Sequence, residues 1–360
     1  MAGLRGIAWL ALVVLIAFIA MVAAEVWIPL VLAGLLATLL RPFVGALEAI
    51  RIPTFVGAFL VVGGASLLLA GVVQLAQAPA ARAIEDLPRA ANRVADEVRD
   101  FKRVWSDRTS LSQTFDVIED LQAEGTNAVP RVVIDAPGLE ERLMAIGMNI
   151  TIGALVVVLL SYFFLVHGDT LFRRLIEVTP TLRDKKRVVE IVRAVQADSS
   201  RYLLVITAIN AGLACVVALV LLALDVPNAL FWGLVAGVAN YVPYLGPVVL
   251  ACALLLVGFG NPANEDWVDA LIPAAAYVAV NGIEANFVTP TLLGRHFAIN
   301  PLVILVWLML WGWLWGVPGL LLGVPLLVCT KVIFLRVDRL QPWAVLMGAR
   351  KADELPNDRS

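Results

Sequence analysis

The feature that constrains this chain most is a series of eight apolar blocks separated by short polar breaks. A helix that crosses a bilayer needs about 20 predominantly apolar residues, and most of the blocks reach that length. A transmembrane β-barrel would instead alternate apolar and polar residues. With 61% hydrophobic and only 16% charged residues among 360, the sequence predicts an all-α, polytopic membrane protein.

Lysine and arginine in the breaks predict the orientation of the chain, because positive charge in short loops is retained on the cytoplasmic side. Positive charge precedes the first block at Arg5, follows the second block at Arg41, and is concentrated in the segment 168–201. The breaks that hold Glu25 and Asp225 contain neither lysine nor arginine. We therefore expect both termini to lie in the cytoplasm.

The blocks divide the chain into four regions. Residues 1–78 carry three transmembrane segments, and residues 79–143 form an extracytoplasmic helical insert. Residues 144–335 are predicted to form a C-terminal membrane core, followed by a cytoplasmic tail at residues 336–360. The first block also has the composition of a cleaved signal peptide. We favour an uncleaved helix, because the second block begins at Val26 and leaves no soluble domain to export.

Two blocks are too long for one plain span, and each is broken near its centre by glycine and proline. The first break is NYVPYLGP, residues 240–247, and the second is GVPG, residues 316–319. Proline lacks a backbone donor and disfavours continued helix. Each block is therefore predicted to fold back as a helical hairpin, near residues 228–258 and 300–333.

The loop charges favour hairpins that enter the membrane from opposite faces. Two single spans would place the acidic residues 258–266 inside and Arg295 outside, against the charge rule. A pair of kinked structural helices is the alternative. The predicted fold has about six full transmembrane helices and two oppositely oriented re-entrant hairpins, with the extracytoplasmic insert between the two halves.

Polar residues near the breaks indicate where function lies. Two interrupted helices of opposite orientation point to a transport site between them. Asn240 lies at the first break, and Glu284 lies near the inner end of the seventh block with Asn281 on the same helical face. A carboxylate in apolar sequence is a candidate for coupling to a cation or proton, unless it pairs with Arg295 at the headgroup level. Asn210 is a further candidate, although an asparagine at this position could instead form a hydrogen bond with a neighbouring helix.

Within the insert, apolar residues recur at alternating steps of three and four from Ile84 to Trp105. This narrow seam suits pairing between helices of two subunits, although a helix lying on the outer surface of the protein would show the same stripe. The seam supports an expected homo-oligomer. It also supports an alternative function, that of a membrane scaffold or assembly protein that binds its partners through the seam.

Three stretches together resemble a known family: NYVPYLGPVV, VNGIEANFVTPTLLGRHFAINPLVIL and WGVPGLLLGVPLLV. They resemble the C-terminal half of the autoinducer-2 exporter family, and the layout of blocks is similar over the whole chain. One departure is FFLVHGD, where a histidine precedes the charged position that the family shows after FFL. The resemblance implies a location in the bacterial cytoplasmic (inner) membrane.

On this resemblance, the residues of two signatures are candidates for the substrate or ion pathway. The first signature matches at Asn240, Pro243, Tyr244, Gly246 and Pro247. The second matches at Glu284, Asn286, Pro290, Gly294, Pro301, Gly316, Gly319 and Pro325, and the sequence itself adds Asn281 and Pro318.

The resemblance also implies export of autoinducer-2, or efflux of sodium or lithium in exchange for protons, and oligomeric assembly. We predict a secondary transporter in the lipid bilayer that exports a small polar solute or a monovalent cation, coupled to a proton gradient through Glu284. An ungated pore is a further alternative. The sequence lacks a Walker loop, a serine elbow and a paired-histidine metal motif, so no enzymatic activity, cofactor, metal centre or nucleic-acid partner is expected.

Overall fold

The structure, a computed structural model, describes residues 19, 21–106, 139–178, 182–261, 266–294, 299–337 and 340–348. The elements in these ranges are all helical. In chain order they are α1 Ala24–Ala49, α2 Thr54–Ser106, α3 Leu139–Val178, α4 Leu182–Ala223, α5 Ala229–Ala239, α6 Leu245–Gly260, α7 Trp267–Ile283, a π-helical turn Glu284–Val288, α8 Thr289–Leu293, α9 Pro301–Arg336 and α10 Gln341–Leu346.

Six helical segments of the described part are long and apolar enough to cross a membrane. They are Ala24–Ala49, Thr54–Ala83, Thr151–Gly168, Lys185–Ala223, Trp267–Leu293 and Pro301–Arg336. The prediction of an all-α, multi-pass membrane protein is thereby confirmed. The first apolar block lies almost entirely outside the described residues, and so does Arg295.

Helices α1, α2 and α3 pack through small residues. Ala33 and Ala37 of α1 are buried, which lets neighbouring backbones approach closely. At this contact the Ser161 hydroxyl of α3 donates a 3.2 Å hydrogen bond to the Ala33 carbonyl. The hydroxyl shares its one hydrogen with the Val157 carbonyl of its own helix, at 2.7 Å.

Helix α2 continues without a break through the predicted boundary between residues 78 and 79 and ends only at Ser106. The transmembrane segment and the first part of the insert are therefore one helix of 53 residues. The stretch around the boundary is rich in alanine, the residue with the highest helix propensity. Most side chains of the predicted seam from Ile84 to Trp105 lie outside the described residues, so the seam stays a prediction.

The first predicted break separates two short helices, α5 of 11 residues and α6 of 16 residues. The turn between them runs from Asn240 to Tyr244, whose φ is 67°. Gly246 is needed beside this turn, because a Cβ there would overlap the carbonyl oxygen of Ala239. The predicted arms, residues 228–239 and 247–258, agree with the two helices to within about two residues.

The second predicted break lies inside α9, at Gly316, which has φ 62° and ψ −137°. On either side of it the two arms fold against each other, and the Trp307 indole donates a 2.8 Å hydrogen bond to the Gly323 carbonyl. In a straight helix these residues would lie about 24 Å apart. A Cβ on Gly319 would overlap the carbonyl oxygen of Trp311. Helix α9 is therefore a tight helical hairpin in the described chain.

We expect Gly319→Ala to destabilise the protein, because the added methyl group meets a backbone oxygen that cannot move without separating the hairpin arms. Overpacking of this kind costs about 1–3 kcal/mol, which thermal unfolding in detergent will show as a lower Tm. The matched control is Gly212→Ala in α4, where a Cβ has open space around it and helix propensity favours alanine. Equal Tm values for the two variants would contradict the tight hairpin.

Candidate functional site

Two glycines bring α5 against α4 and so position the site. In the stretch GLVAG, a Cβ on Gly233 would lie 2.5 Å from the Cβ of Ala218, and a Cβ on Gly237 would lie 2.7 Å from the carbonyl oxygen of Asn210. Small residues at this spacing allow two helix backbones to approach closely. The C-terminal end of α5, and Asn240 just after it, are held beside Asn210 as a result.

Asn240 is the centre of a polar cluster at the first helix break. Its side-chain amide donates to Asn210 Oδ1 at 2.9 Å and to Glu284 Oε2 at 3.4 Å. Its own oxygen accepts a 3.2 Å hydrogen bond from Asn281 Nδ2. One asparagine thereby joins α4, the hairpin turn, α7 and the π-turn, using both amide hydrogens and one acceptor.

Glu284 begins a π-helical turn that Pro290 explains. Proline has no N–H and its ring crowds the carbonyl four residues earlier, so the α-helical bonding pattern cannot continue through this segment. The N–H of Thr289 instead bonds to the Glu284 carbonyl, five residues back. The Thr289 hydroxyl also donates to the Glu284 carboxylate, at Oε1. Each carboxylate oxygen therefore accepts a hydrogen bond, from Thr289 and from Asn240.

The cluster is buried in an otherwise apolar bundle. Glu284 is 7% exposed and Asn210 2% exposed. Tyr277 lies two helical turns before Glu284 on the same face of α7 and is 1% exposed. Within the described chain, two buried polar atoms here have no hydrogen-bond partner, Asn210 Nδ2 and the Tyr277 hydroxyl. Unsatisfied buried polar atoms are rare in folded proteins, so these two atoms make the cluster the candidate functional site.

The depth of the cluster along α4 follows from helix geometry. Asn210 lies 12 residues after Asp198 and 13 before the end of the helix at Ala223, which is about 18 and 20 Å at a rise of 1.5 Å per residue. The hydrocarbon layer of a bilayer is about 30 Å thick. A helix that crosses it with these two ends in water places Asn210 near mid-depth.

The structure brings together four of the residues that the sequence singled out, Asn210, Asn240, Asn281 and Glu284. The adjoining turn is shaped by Pro243, Tyr244, Gly246 and Pro247.

Asn286 is exposed, and its amide bonds back to the Gly282 carbonyl. Pro290 forces the π-turn, and Gly294, with φ 67°, ends α8. Gly316, Pro318 and Gly319 form the turn of the second hairpin, and no described hydrogen bond joins them to Glu284.

Sequence reasoning missed three contributors to the site. Tyr277 was detectable as the residue seven positions before Glu284, which falls on the same face of a helix. Thr289 was not, because its contact with Glu284 depends on the five-residue spacing of a π-turn. Thr207 was also missed: its hydroxyl accepts a 2.9 Å hydrogen bond from Tyr241 in the hairpin turn, and a distant tyrosine gives no local signal.

Comparison with known proteins identifies the family. A profile described as AI-2E family transporter matches residues 10–339, nearly the whole chain. The chain belongs to the AI-2E transporter family. The family consists of transport proteins. This confirms two predictions, that the chain is a membrane transporter in general and that it is not an enzyme.

Relatives extend over almost the full length of this AI-2E protein. The AI-2 transport protein TqsA of Escherichia coli is 30% identical over 363 aligned positions, covering 96% of each chain. A Haemophilus influenzae protein with only a provisional transport name is 26% identical over 340 positions and 91% of each chain. A Bacillus subtilis relative, YueF, also provisionally named as a transport protein, is 22% identical over 324 positions.

We expect Asn240→Ala to lower the stability of the protein strongly, because it leaves the Asn281 amide and a buried carboxylate oxygen without a partner. Each buried group left unsatisfied costs about 1–3 kcal/mol, measurable as a lower Tm in detergent. Asn286→Ala is the matched control, since that side chain is exposed and bonds only within its own helix. If both variants unfold at the wild-type temperature, Asn240 does not hold the cluster together.

Proposed function

We propose that this protein is a secondary transporter that exports a small polar solute or a monovalent cation, and that Glu284 couples this movement to a proton gradient. The observation that carries the proposal is the buried carboxylate of Glu284, held by hydrogen bonds from Asn240 and Thr289. Family membership supports transport in general. Family membership does not specify the solute, the ion or the coupling, and these are what we propose.

The chemistry of Glu284 explains how coupling would work. An ionised carboxylate in a membrane is costly unless it is paired or hydrogen-bonded, and here two donors lower that cost. A proton or a bound cation neutralises the same charge. Because one carboxylate can be neutralised by either but is not filled by both at once, binding of the one favours release of the other. This competition couples the flux of the cation to the opposing flux of protons. No covalent bond of the protein is made or broken except the O–H bond of protonated Glu284.

The helix breaks supply the second part of the mechanism. Asn240 belongs to the turn of the first hairpin, and Glu284 belongs to the π-turn beside it, so a movement of either turn changes the hydrogen bonds of the carboxylate. π-Turns recur at functional sites. Broken helices at membrane depth are found where they line a cavity or a transport site. We propose that both hairpins are re-entrant, and that they enter from opposite faces.

The cluster also suits a small polar solute. Asn210 Nδ2 is a donor without a partner, and the Tyr277 hydroxyl can donate or accept. A hydroxylated solute would satisfy both atoms. The relative TqsA is named for AI-2 transport, and we propose an autoinducer-2-like signal as the first solute to test. The alternative function, a membrane scaffold that binds its partners, rests on the seam of α2. No contact among the described residues supports it.

The test is flux in proteoliposomes with an imposed proton gradient, for sodium, lithium and autoinducer-2. Glu284→Gln keeps the shape of the side chain and one of its two acceptor oxygens but cannot be ionised, so we expect it to reduce gradient-driven flux to the level of empty liposomes. The matched control is Glu190→Gln at an exposed position of α4, which is expected to transport like the wild type.

Three results would contradict the proposal. Wild-type flux that is indifferent to the proton gradient would indicate an ungated pore. Full gradient-driven flux in Glu284→Gln would exclude that residue as the coupling acid. Absence of flux from folded wild-type protein for all three solutes would reject these substrates, and would turn attention to the scaffold alternative.

A further inference from the structure

A cavity lies at the end of the helix bundle that bears Asp225 and Asp266. Its volume is about 160 Å³, which is room for several water molecules. Three segments form its wall, the α4–α5 loop, the end of α6 and the first turns of α7. They contribute Leu224 and Val226, Val257 and Asn261, and Asp269 and Pro273. Among the described residues of the wall, Asp269 has the single charged side chain.

Close backbone packing positions Asp269 in this wall. A Cβ on Gly258, at the end of α6, would overlap the carbonyl oxygen of Ala270 in α7. Small residues let two helix backbones approach this closely. Because Ala270 follows Asp269 directly, the contact holds the turn of α7 that carries the carboxylate against α6.

Three fully buried side chains form the floor of the cavity. One helical turn deeper than the wall, α4 has Leu221, α6 has Leu254 and α7 has Tyr277, and each is at most 1% exposed. The three residues belong to one hydrophobic cluster. The Tyr277 hydroxyl is buried in this floor and has no hydrogen-bond partner among the described residues. The floor is therefore apolar except for one unsatisfied hydroxyl.

One face of α7 connects the cavity with Glu284. Asp269, Pro273, Tyr277 and Glu284 fall within a sector of about 80° on a helix of 3.6 residues per turn. Along the helix, Tyr277 lies about 12 Å from Asp269 and about 10 Å from Glu284, at a rise of 1.5 Å per residue. Ionisable side chains in membrane helices face the bundle interior or a water-filled cavity. The unsatisfied hydroxyl thus lies between two carboxylates on one helix face.

Apolar side chains also lie on the other side of the Glu284 cluster. Toward Asp198, Tyr202 and Leu203 of α4 belong to a second hydrophobic cluster. In the described conformation the carboxylate therefore has apolar layers on both sides, as expected of a transport site that opens to one side at a time. A solute that uses the side of Asp225 requires the floor of the cavity to part.

We propose that this cavity is a vestibule that binds a small monovalent cation beside Asp269, on the way between water and Glu284. Carboxylates are the side chains that attract cations at the mouths of membrane pathways. The Tyr277 hydroxyl is the next ligand inward and receives the cation when Leu221 and Leu254 separate. The inference deepens the proposed function and rests on it, because the cation is the one that competes with the proton at Glu284.

Cysteine labelling tests the vestibule without a transport assay. In the full-length protein, Val257→Cys or Ile272→Cys is added in the cavity wall. The background lacks the native cysteines, through the replacements Cys215→Ala, Cys252→Ala and Cys329→Ser. Oriented vesicles are treated with a cationic or an anionic methanethiosulfonate reagent. Glu190→Cys and Asp266→Cys mark the two faces of the membrane, so the side of reaction is known.

We expect the cationic reagent to react faster than the anionic one, relative to their rates with a free thiol, and from the face marked by position 266. A unit charge about 6 Å from the reacting atom changes a rate about three-fold in water. Asp269→Asn should therefore slow the cationic reagent and accelerate the anionic one, by about three-fold each. Asp266→Asn is the matched control with a smaller expected effect, because Asp266 is exposed and lies outside the wall.

Three results would overturn the vestibule. The first is that Asp269→Asn leaves both rates unchanged at both cysteines. The second is an equal effect of Asp266→Asn, which would indicate the general surface charge of this face. The third is reaction only from the face marked by position 190. Two wall positions are used so that a folding failure at one of them leaves the test intact.

Tyr277→Phe gives a functional readout. The variant removes a buried hydroxyl that has no partner, so no hydrogen bond is lost and we expect the Tm to be no lower than that of the wild type. Cation flux is expected to fall several-fold. Wild-type flux in Tyr277→Phe would contradict the role of the hydroxyl as a ligand, and a fall in flux that accompanies a lower Tm would indicate a structural role instead.

The two proposals fail in distinguishable ways. Absence of the charge effect at the wall cysteines, with flux that still depends on Glu284, rejects the vestibule alone. Wild-type flux in Glu284→Gln rejects the proposed function, and the vestibule inference falls with it.

Discussion

The rest of the structure depends on how a carboxylate is kept in an apolar bundle. Glu284 is 7% exposed and accepts hydrogen bonds from Thr289 in its own π-turn and from Asn240 in a hairpin turn. Burial of a charge without such partners would cost several kcal/mol. Three irregular features of the chain, the π-turn, the hairpin turn and the close α4–α5 packing, all serve to deliver these donors to one place.

Helix α4 connects the parts that would move in a transport cycle. It contacts the first hairpin through Asn210 and Thr207, and the second through Ser199 and Asp198. Both hairpins are tight because glycine stands where a Cβ would meet backbone, at Gly246 and Gly319. Packed elements of this kind shift between discrete arrangements rather than deforming continuously. Under the proposed function, a change at either hairpin would be transmitted to Glu284 through α4, which contacts both.

Sequence reasoning located the breaks well because their causes are local. Proline and glycine interrupt a helix wherever they stand, and an acid in apolar sequence is conspicuous without any structure. It identified Glu284 as the main candidate, together with Asn281, Asn240 and Asn210, and it also included Asn286, which is exposed and bonds back to the Gly282 carbonyl. The contacts of Thr289 and Tyr241 depend on a π-turn and on distant packing, which no periodic pattern encodes. The continuity of α2 was missed for another reason, since polarity changes at residue 79, which is a proline, and the helix nevertheless runs on through it.

The central claim is that Glu284 exchanges a proton with water during transport. The most direct measurement is the transient current that a proton jump alone evokes from protein on a solid-supported membrane. We expect charge movement in the wild type and in Glu190→Gln, and none in Glu284→Gln, whatever the solute. A wild-type response that persists unchanged in Glu284→Gln, or no response from folded wild-type protein, would contradict it.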